Sequence, residues 1–249
     1  MIVEKVTDEI VHWLRESVRE AGVSGLVTGV SGGLDSAVVA HLIQRAFPDD
    51  SLAVIMPLNS NLEDMEHADK VIETSGISQL KIDLTNTHQT MYGQIREKLQ
   101  EQDAFQSKRD QMADANLRAR LRMSTLYTIA SHYGYLVTGT DNAAEWYTGY
   151  FTKYGDGGVD ILPLVDFLKH EVKEMGEYLG VPKEILDKQP SADLWEGQTD
   201  EAEMGTTYAK IDAYLKGVEI PEKDKELIQQ MHSRTAHKRN TAKQFHRQQ

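Results

Sequence analysis

The stretch of sequence that most restricts the fold is GVSGGLDS, residues 29–36. It follows the apolar pair Leu26 and Val27, and apolar residues at helical spacing come after it, at Val38, Val39, Leu42, Ile43 and Phe47. A buried strand that runs through a glycine-rich turn into a helix can hold an anion, because glycine lets the backbone approach closely and the helix N-terminus presents free N–H groups. The stretch therefore predicts a phosphate-binding loop at the carboxyl end of a strand.

The residue types in this loop restrict which reaction of a phosphate compound it can support. The lysine of a P-loop kinase is absent, so nothing in the loop draws a terminal phosphoryl group toward an acceptor. Asp35 places a carboxylate beside phosphate, which is repulsive unless a cation such as Mg²⁺ lies between them. We therefore predict that the loop holds a pyrophosphate with its metal as a leaving unit; the alternative is an ordinary strand-to-helix turn. The predicted ATP-binding residues of the loop are Gly29, Val30, Ser31, Gly32, Gly33, Leu34, Asp35 and Ser36.

Short apolar segments alternate with amphipathic ones along the chain. Predicted strands cover 26–30, 51–56, 80–84 and 135–138, and predicted helices include 62–74, 86–102 and 110–132. This alternation is typical of a parallel sheet covered by helices on both faces. No repeat, low-complexity run or long linker divides the 249 residues. The sequence therefore predicts an α/β fold with a Rossmann-like doubly wound parallel sheet, built as a single domain over residues 1–249.

Composition excludes several functions. The chain has no cysteine, which rules out disulfides, cysteine-ligated zinc and a thiol nucleophile. A formal net charge of −12 disfavours nucleic acid as a partner, and no apolar run approaches the roughly 20 residues that span a membrane. No signal peptide is visible, so we expect a cytoplasmic protein. The segment 232–249 carries five Lys or Arg and no acid, and it could be a solvated end, a nucleic-acid arm or a cover for an anionic ligand.

Further motifs identify a family. The string SGGLDS resembles the pyrophosphate loop of the N-type ATP pyrophosphatases, which split ATP into AMP and pyrophosphate. In order and spacing, the remaining motifs are similar to those of ammonia-dependent NAD synthetases: NLRARLRM (116–123), TGTDNAAEWYTGYFTKYGDGGVDILPL (138–164), PSADL (190–194), a Gly205–Tyr208–Ile211–Asp212–Tyr214–Leu215–Gly217 pattern and AHKR (236–239). The resemblance implies an adenine nucleotide alpha hydrolase-like fold. It also implies ATP-dependent amidation of deamido-NAD to NAD⁺ through an adenylate, with AMP and pyrophosphate as products.

The resemblance assigns roles to individual residues. It implies that Mg²⁺ is held by Asp35 and Glu145, and that ATP is also contacted by Thr140, Lys169 and Ser191. The implied catalytic residues are Ser31, Asp35 and Asp156, the last placed near the ammonia site, where it could take a proton or simply form a glycine-rich turn. The implied deamido-NAD contacts are Arg120, Lys153, Asp160, His237 and Lys238.

The arginine-rich helix allows a prediction of orientation. A helical wheel places Arg120 beside a stripe of Leu117 and Leu121, with Arg118 and Arg122 further toward solvent. An arginine at the edge of an apolar stripe can bind a phosphate or carboxylate, or can simply extend into water. The family usually has histidine at the position of Asn142 and threonine at that of Ser191, so fine contacts with substrates are expected to differ.

The resemblance also implies partners. We expect a homodimer with deamido-NAD bound at the subunit interface, the basic segment 232–249 closing over the ligand, and no membrane partner. The acidic loop 193–203, with Trp195, is expected to become ordered when ligands bind. Free ammonia is the expected nitrogen source, because glutamine-using relatives carry an additional amidase domain. The remaining alternatives are another pyrophosphate-loop amidoligase and a non-catalytic nucleotide-binding module.

Overall fold

The computed structural model describes residues 2–58, 60–191, 199–245 and 247. Its strands are β1 (Gly25–Gly29), β2 (Ser51–Ile55), β3 (Ser78–Lys81) and β4 (Tyr135–Val137). The helices of the described residues are α1 (Val3–Ala21), α2 (Leu34–Ala46), α3 (Leu62–Ser75), α4 (Thr85–Glu101), α5 (Ser107–Tyr133), α6 (Ala143–Thr148), α7 (Lys169–Leu179), α8 (Lys183–Leu186), α9 (Asp200–Met204), α10 (Tyr208–Leu215), α11 (Glu222–Arg234) and α12 (Ala236–Arg239).

The strands form one parallel sheet in the order β3-β2-β1-β4. In register, Leu26 of β1 lies opposite Ser51 of β2 on one side and Leu136 of β4 on the other. All five residues of β2 are buried, which is expected for a parallel strand covered on both faces. The order places the carboxyl ends of β1 and β4 side by side, so residues that follow these two strands meet at one edge of the sheet.

Helices cover both faces of this sheet and confirm the predicted doubly wound fold. Successive residues of a strand point to opposite faces. Thus Leu26 packs into a core with side chains of α1, α2 and α7, whereas Val27 packs into a second core with side chains of α5. A third, smaller core joins α6, α9, α10 and α11 around Tyr208, Ile211 and Ile228. These helices come after β4 in the sequence. Their packing on α6 brings α9, α10 and α11 to the sheet edge where β1 and β4 end.

The strand boundaries differ from the sequence prediction by one residue in β1, β2 and β4, and by more in β3. The third strand was expected over 80–84 but spans Ser78–Lys81, although the amides of Ile82 and Leu84 still donate to the carbonyls of Ile55 and Pro57. Beyond β4, Thr138 pairs with Ile161 in a short parallel bridge that was not predicted from the sequence. The bridge returns the glycine-rich segment 155–158 to the same edge of the sheet. No helix among the described residues has the length and apolar character needed to cross a membrane.

The C-terminal segment packs against the loop that follows α6. The Lys238 Nζ donates to the carbonyl oxygens of Gly149 and Phe151, at 2.7 and 2.6 Å. Thr235 Oγ1 donates to the Thr148 carbonyl at 3.0 Å, and its side chain lies directly against Gly149. A Cβ on Gly149 would come within 2.3 Å of Thr235 Cβ, and Gly149 has φ +70°, so both packing and backbone conformation require glycine here.

We predict that Gly149→Ala destabilises the protein by about 2 to 4 kcal/mol, the sum of a left-handed backbone penalty and overpacking against Thr235. Gly180→Ala is the matched control, because Gly180 has φ +84° but nothing within 4 Å of an added Cβ. It should cost only about 1 kcal/mol, the backbone part alone. Urea unfolding of the three proteins measures both values. Equal losses in the two variants would show that Thr235 does not press on Gly149.

Candidate active site

A cavity of about 420 Å³ opens at the sheet edge where β1 and β4 end. The glycine-rich loop forms one wall, the segment after β4 forms another, and α5 and the C-terminal segment close the sides. In open α/β sheets this is the edge at which ligands bind. Most of the sequence-predicted ATP residues line the cavity: Gly29, Val30, Ser31, Gly33, Leu34, Asp35, Ser36, Thr140, Lys169 and Ser191.

The backbone of the loop is shaped for close approach by an anion. Gly32 has φ +85°, and a Cβ there would lie 2.5 Å from the carbonyl oxygen of Asp64, so only glycine fits. Ser36 Oγ donates to the Gly33 carbonyl at 3.0 Å and accepts from the Ser31 amide at 3.2 Å, which holds the turn. Gly33 precedes α2 without a side-chain cap, and the N–H groups of that helix terminus can therefore serve a bound phosphate.

Two carboxylates meet one ammonium group beside this loop. Lys169 at the start of α7 donates to Asp35 in a short hydrogen bond and to Glu145 Oε1 at 3.5 Å. The three side chains are only 13 to 16% exposed. Asp35 follows β1 and Glu145 follows β4, so the neighbouring positions of these strands bring the pair together. The expected grouping of Asp35, Glu145 and Lys169 is therefore present.

This crowding changes the pKa of Glu145 and of Lys169. Burial, with the neighbouring charge of Asp35, raises the pKa of Glu145 to about 7. Burial alone would lower the pKa of the Lys169 ammonium, but the charges of Asp35 and Glu145 outweigh burial and raise it. Lys169 therefore stays charged at neutral pH, and the carboxylate pair is prepared to bind a cation.

The donor set fits a magnesium ion that is shared with phosphate. Mg²⁺ binds carboxylate oxygens and usually takes only one or two protein carboxylates beside water and phosphate oxygens. Asp35 and Glu145 already converge on a cationic nitrogen, so their oxygens can reach a common ion. No cluster of three or more acids or histidines that could bind a metal alone occurs within the described ranges. Phosphate oxygens would have to complete the coordination, as they do in ATP-dependent enzymes.

Asn142 holds one member of this pair in place. Its Oδ1 caps α6 by accepting from the amides of Ala144 and Glu145, at 3.0 and 3.1 Å. Its Nδ2 donates to Asp35 Oδ1 at 3.1 Å. From the sequence, Asn142 was noted only as a departure from the family pattern; its preference for helix caps was the signal that could have placed it here.

Tyr208 and Asp200 are further residues that sequence reasoning missed. The Tyr208 hydroxyl lies 2.8 Å from Glu145 Oε1 and 2.9 Å from Asp200 Oδ2, and Lys169 Nζ lies over the Tyr208 ring. Tyr150 also donates to Asp200. The ordering of the loop 193–203 on ligand binding stays a prediction. Residues 199–203 of this loop are described: Thr199 caps the helix α9, and Asp200 makes these contacts. Trp195 lies outside the described residues.

Asp156 and Lys238 face the cavity together. Asp156 Oδ1 accepts from the Thr152 amide at 3.0 Å, while its surface is open to the cavity. Protein atoms that surround the cavity desolvate Asp156 and raise its pKa, and the Lys238 charge opposes that shift. The turn considered for Asp156 is therefore present, and its role beside the ammonia site stays a prediction.

Four predicted deamido-NAD residues lie outside the walls of this cavity: Arg120, Lys153, Asp160 and His237. Lys153 Nζ donates to the Asn240 carbonyl at 3.2 Å, and Arg120 Nη2 donates to the Lys153 carbonyl at 3.3 Å. Asp160 accepts from the Val137 amide at 2.8 Å and the Tyr127 hydroxyl at 2.9 Å. His237 is exposed on α12. Arg120, Lys153 and His237 thus form a group on the surface beside the cavity, whereas Asp160 is tied to β4 and α5.

The predicted orientation of the arginines was wrong. Arg120 is the exposed one, whereas Arg118 is half-buried in an ion pair with Asp114 and Arg122 lines the cavity. Leu117 and Leu121 are only partly buried, so they do not mark the face of α5 that packs into the core. The fully packed positions of α5 are Ala115 and Ala119 near the cavity and Leu126, Ile129 and Ala130 against the sheet.

The fold and the site define a class: an α/β protein whose first strand leads into a lysine-free pyrophosphate loop facing two carboxylates and a lysine. Within that class, the family model described as NAD synthase matches residues 6–249. The protein belongs to the NAD synthase family.

Individual relatives agree with this assignment. The protein is 55% identical over 237 residues to an NH(3)-dependent NAD(+) synthetase of Alkaliphilus oremlandii, and the match covers 95% of both sequences. Among solved structures, it is similar to the NMN synthetase of Francisella tularensis, with TM-score 0.89, 42% identity and coverage of 98% on both sides. It is also similar to the NH3-dependent NAD synthetase of Campylobacter jejuni, with TM-score 0.76, 25% identity and coverage of 99% and 100%.

The pKa of Glu145 predicts how stability depends on pH. Between about pH 4.5 and pH 7 the folded protein retains a proton on Glu145 that the unfolded chain has lost, so the free energy of unfolding falls as pH rises through this window. A shift from 4.5 to about 7 corresponds to about 3 kcal/mol. Glu145→Gln removes this contribution. Its stability relative to the wild type, measured by urea unfolding without ligands, should increase by up to that amount from about pH 4.5 to about pH 7.5.

Glu177→Gln is the control, because Glu177 lies exposed on α7 and its stability difference from the wild type should stay constant over the same pH range. Parallel pH curves for the wild type and Glu145→Gln would contradict a raised pKa at Glu145.

Proposed function

We propose that the protein is an ammonia-dependent NAD⁺ synthetase, a ligase that forms a C–N bond. It converts deamido-NAD, ATP and ammonia into NAD⁺, AMP and pyrophosphate, the last step of NAD biosynthesis. The observation that carries the proposal is the pairing of a lysine-free pyrophosphate loop with Asp35, Glu145 and Lys169. The names of the relatives, at up to 55% identity over nearly the whole sequence, support the same reaction. Because ATP and deamido-NAD are cytoplasmic metabolites, we also propose the cytoplasm as its location.

The chemistry explains why such a site is needed. A carboxylate does not react with ammonia, because its oxygen is a poor leaving group. In the first step, a carboxylate oxygen of the pyridine acid attacks the α-phosphorus of ATP, and the bond to pyrophosphate breaks. In the second step, ammonia attacks the acyl carbon, the bond to AMP breaks, and the nitrogen loses a proton. Both steps build negative charge on phosphate, so the site must neutralise that charge.

The protein's own residues share this work. Ser31, Ser36 and the amides of the loop are placed to bind the departing pyrophosphate, and Thr140 and Ser191 line the cavity for the rest of ATP. Lys169 contributes a permanent positive charge beside the phosphates. Asp35 and Glu145 would hold Mg²⁺, which, when bound, neutralises phosphate charge and favours departure of pyrophosphate.

The surface group beside the cavity is proposed to bind deamido-NAD. Arg120 and Lys153 provide positive charge for its phosphates and carboxylate, and the exposed His237 adds a polar side chain. Asp160 holds its own segment to β4 through the Val137 amide. Lys238 reaches the cavity from the C-terminal segment, which supports the interpretation of 232–249 as a ligand cover. Asp156 is proposed to lie beside the incoming ammonia and to help take a proton from it.

A second candidate substrate comes from the structural comparison. The relative solved from Francisella tularensis is described as an NMN synthetase and matches over 98% of both proteins at 42% identity. The same two steps on nicotinic acid mononucleotide would yield NMN. Both candidate substrates would use the same ATP site. They differ in that the site must also bind the AMP half of deamido-NAD, which nicotinic acid mononucleotide lacks. The non-catalytic module is not favoured, because the relatives are named as synthetases and the charged site is intact.

We also propose that the whole protein acts as one domain. The third core contains Ala144 of α6, and Asp212 of α10 accepts a hydrogen bond from the Lys169 amide at 3.3 Å. The late helices are thus tied to the residues that carry the phosphate site. Separation of residues 200–245 from the sheet would disturb Glu145 and Lys169 together.

A homodimer is proposed from an apolar face on the surface. Met91, Ile95 and Leu99 repeat every four residues on α4 and are 39 to 44% exposed. Such a stripe on a helix is typical of a surface that packs on another helix. We also propose that deamido-NAD is bound at the interface between the two copies.

The reaction predicts its products. Incubation of the protein with ATP, Mg²⁺, ammonium and deamido-NAD should release AMP and pyrophosphate in equal amounts, and omission of deamido-NAD should stop both. The same assay with nicotinic acid mononucleotide ranks the two candidates. Glu145→Gln should lower the rate by about 100-fold or more, because one ligand of the cation is lost, while Glu177→Gln keeps the wild-type rate. Formation of ADP, or turnover with glutamine in place of ammonium, would contradict the proposal.

The dimer makes a separate prediction. Ile95→Glu places a charge in the apolar stripe and should convert the dimer to a monomer in sedimentation velocity experiments. Val218→Glu is the control, because Val218 is 56% exposed and lies outside α4. If the wild type sediments as a monomer at micromolar concentration, or if Ile95→Glu remains dimeric, this interface is wrong.

A further inference from the structure

Three side chains form a row on the surface between α7 and α10, outside the cavity: Asp212, His170 and Lys216. Asp212 and Lys216 are four residues apart, and the Lys216 amide donates to the Asp212 carbonyl at 3.0 Å. Their side chains therefore share one face at the end of α10. His170, the second residue of α7, lies between them. The fold thus places an acid, an imidazole and an amine next to one another.

The hydrogen bonds in this row run in one direction. Lys216 Nζ donates to His170 Nε2 at 2.9 Å, and His170 Nδ1 donates to Asp212 Oδ2 at 2.9 Å. An ammonium group can only donate and a carboxylate can only accept, so the two partners assign the neutral imidazole with its proton on Nδ1. The lone pair on His170 Nε2 therefore faces the lysine nitrogen.

Asp212 holds the imidazole in this orientation. Its side chain is only 9% exposed, and its Oδ1 also accepts from the Lys169 amide at 3.3 Å. The His170 side chain is 46% exposed and Lys216 is exposed, so the amine end of the row is open to solutes. A nucleophile within hydrogen-bond reach of a base, which a third group orients in turn, is the arrangement that activates a side chain for attack on an acyl carbon.

Two other exposed lysines of the late helices have a different kind of partner. Lys173 on α7 donates to Asp187 Oδ1 at 2.9 Å, and Lys225 on α11 donates to Glu222 Oε1 at 3.2 Å. A carboxylate stabilises the ammonium form and is a weak base at neutral pH, whereas a neutral imidazole can accept a proton there. The side chains of Lys173 and Lys225 are 41% and 42% exposed, so the partner, and not accessibility, distinguishes Lys216.

We propose that Lys216 is a modification site that activated acyl compounds, namely acyl phosphates or thioesters, acylate with His170 as the general base. The free amine of Lys216 attacks the acyl carbon, and His170 Nε2 takes the proton that the nitrogen loses. The bond from the acyl carbon to the phosphate oxygen or thioester sulfur breaks, and the leaving group departs with the electron pair. Asp212 stabilises the imidazolium, which returns its proton to the leaving group or to water.

The product is an amide, which is stable, so each protein molecule reacts once at this site. Acylation removes the positive charge of Lys216 at one end of a row whose other end, Asp212, holds the start of α7. The chemistry is independent of the reaction proposed for the cavity.

Site-resolved mass spectrometry of the whole protein tests the reactivity of Lys216. In acetyl phosphate, the initial rate of acetylation at Lys216 should exceed the rates at Lys173 and Lys225 by about tenfold or more. A parallel incubation uses an acetyl thioester, and a preference for Lys216 with either donor supports the proposal. Equal rates at the three lysines with both donors would overturn it.

His170→Gln tests the base. A glutamine amide can still donate to Asp212 and accept from Lys216, but it does not take up a proton. The rate at Lys216 should fall to within about twofold of the rate at Lys173, while Lys173 and Lys225 keep their wild-type rates. Acetylation of Lys216 at the wild-type rate in this variant would show that exposure alone makes the lysine react, and the proposal would be wrong.

Glu177→Gln is the control variant, because Glu177 is an exposed residue of the same helix as His170. It should keep the preference for Lys216. The comparison of the three lysines within the wild type decides the proposal even where a variant does not fold.

Discussion

The contact of Lys169 with Asp35 and Glu145 is the interaction on which the site depends. Two carboxylates from adjacent strand ends repel each other when buried, and they remain together because one ammonium group lies between them. The favourable charge interactions at Lys169 outweigh its own desolvation, since the pKa of this lysine is raised rather than lowered. Each member has its own support: Asn142 for Asp35, Tyr208 for Glu145, and Asp212 for the start of α7.

This arrangement explains how a fold without a phosphate-binding lysine in its loop can bind ATP. The loop supplies amide and hydroxyl donors, while the charge comes from the opposite side of the cavity through Lys169 and through the cation that the carboxylates would hold. Charge is therefore concentrated on the leaving pyrophosphate. Asp141 and Asp156 are further acids of the cavity lining, and burial raises the pKa of both.

Much of this could be predicted from sequence, and what was missed has a physical cause. The loop and the parallel fold follow from short motifs and local periodicity, whereas Glu145 and Lys169 were singled out by the resemblance to the family. Tyr208 and Asp200 could not be assigned, because their contacts arise only when α9 and α10 pack against α6. The predicted orientation of Arg120 was wrong because α5 buries different faces along its 27 residues. Near the cavity it buries small alanine side chains, and against the sheet it buries mainly larger ones. A single stripe cannot describe such a helix.

The central claim is that the site joins the acid of the pyridine to AMP before nitrogen arrives. Oxygen transfer tests it most directly. With ¹⁸O in the carboxylate of deamido-NAD, a single turnover followed by mass spectrometry should place one ¹⁸O in the phosphate of AMP and none in pyrophosphate. Unlabelled AMP, or ¹⁸O in pyrophosphate or inorganic phosphate, would contradict the account.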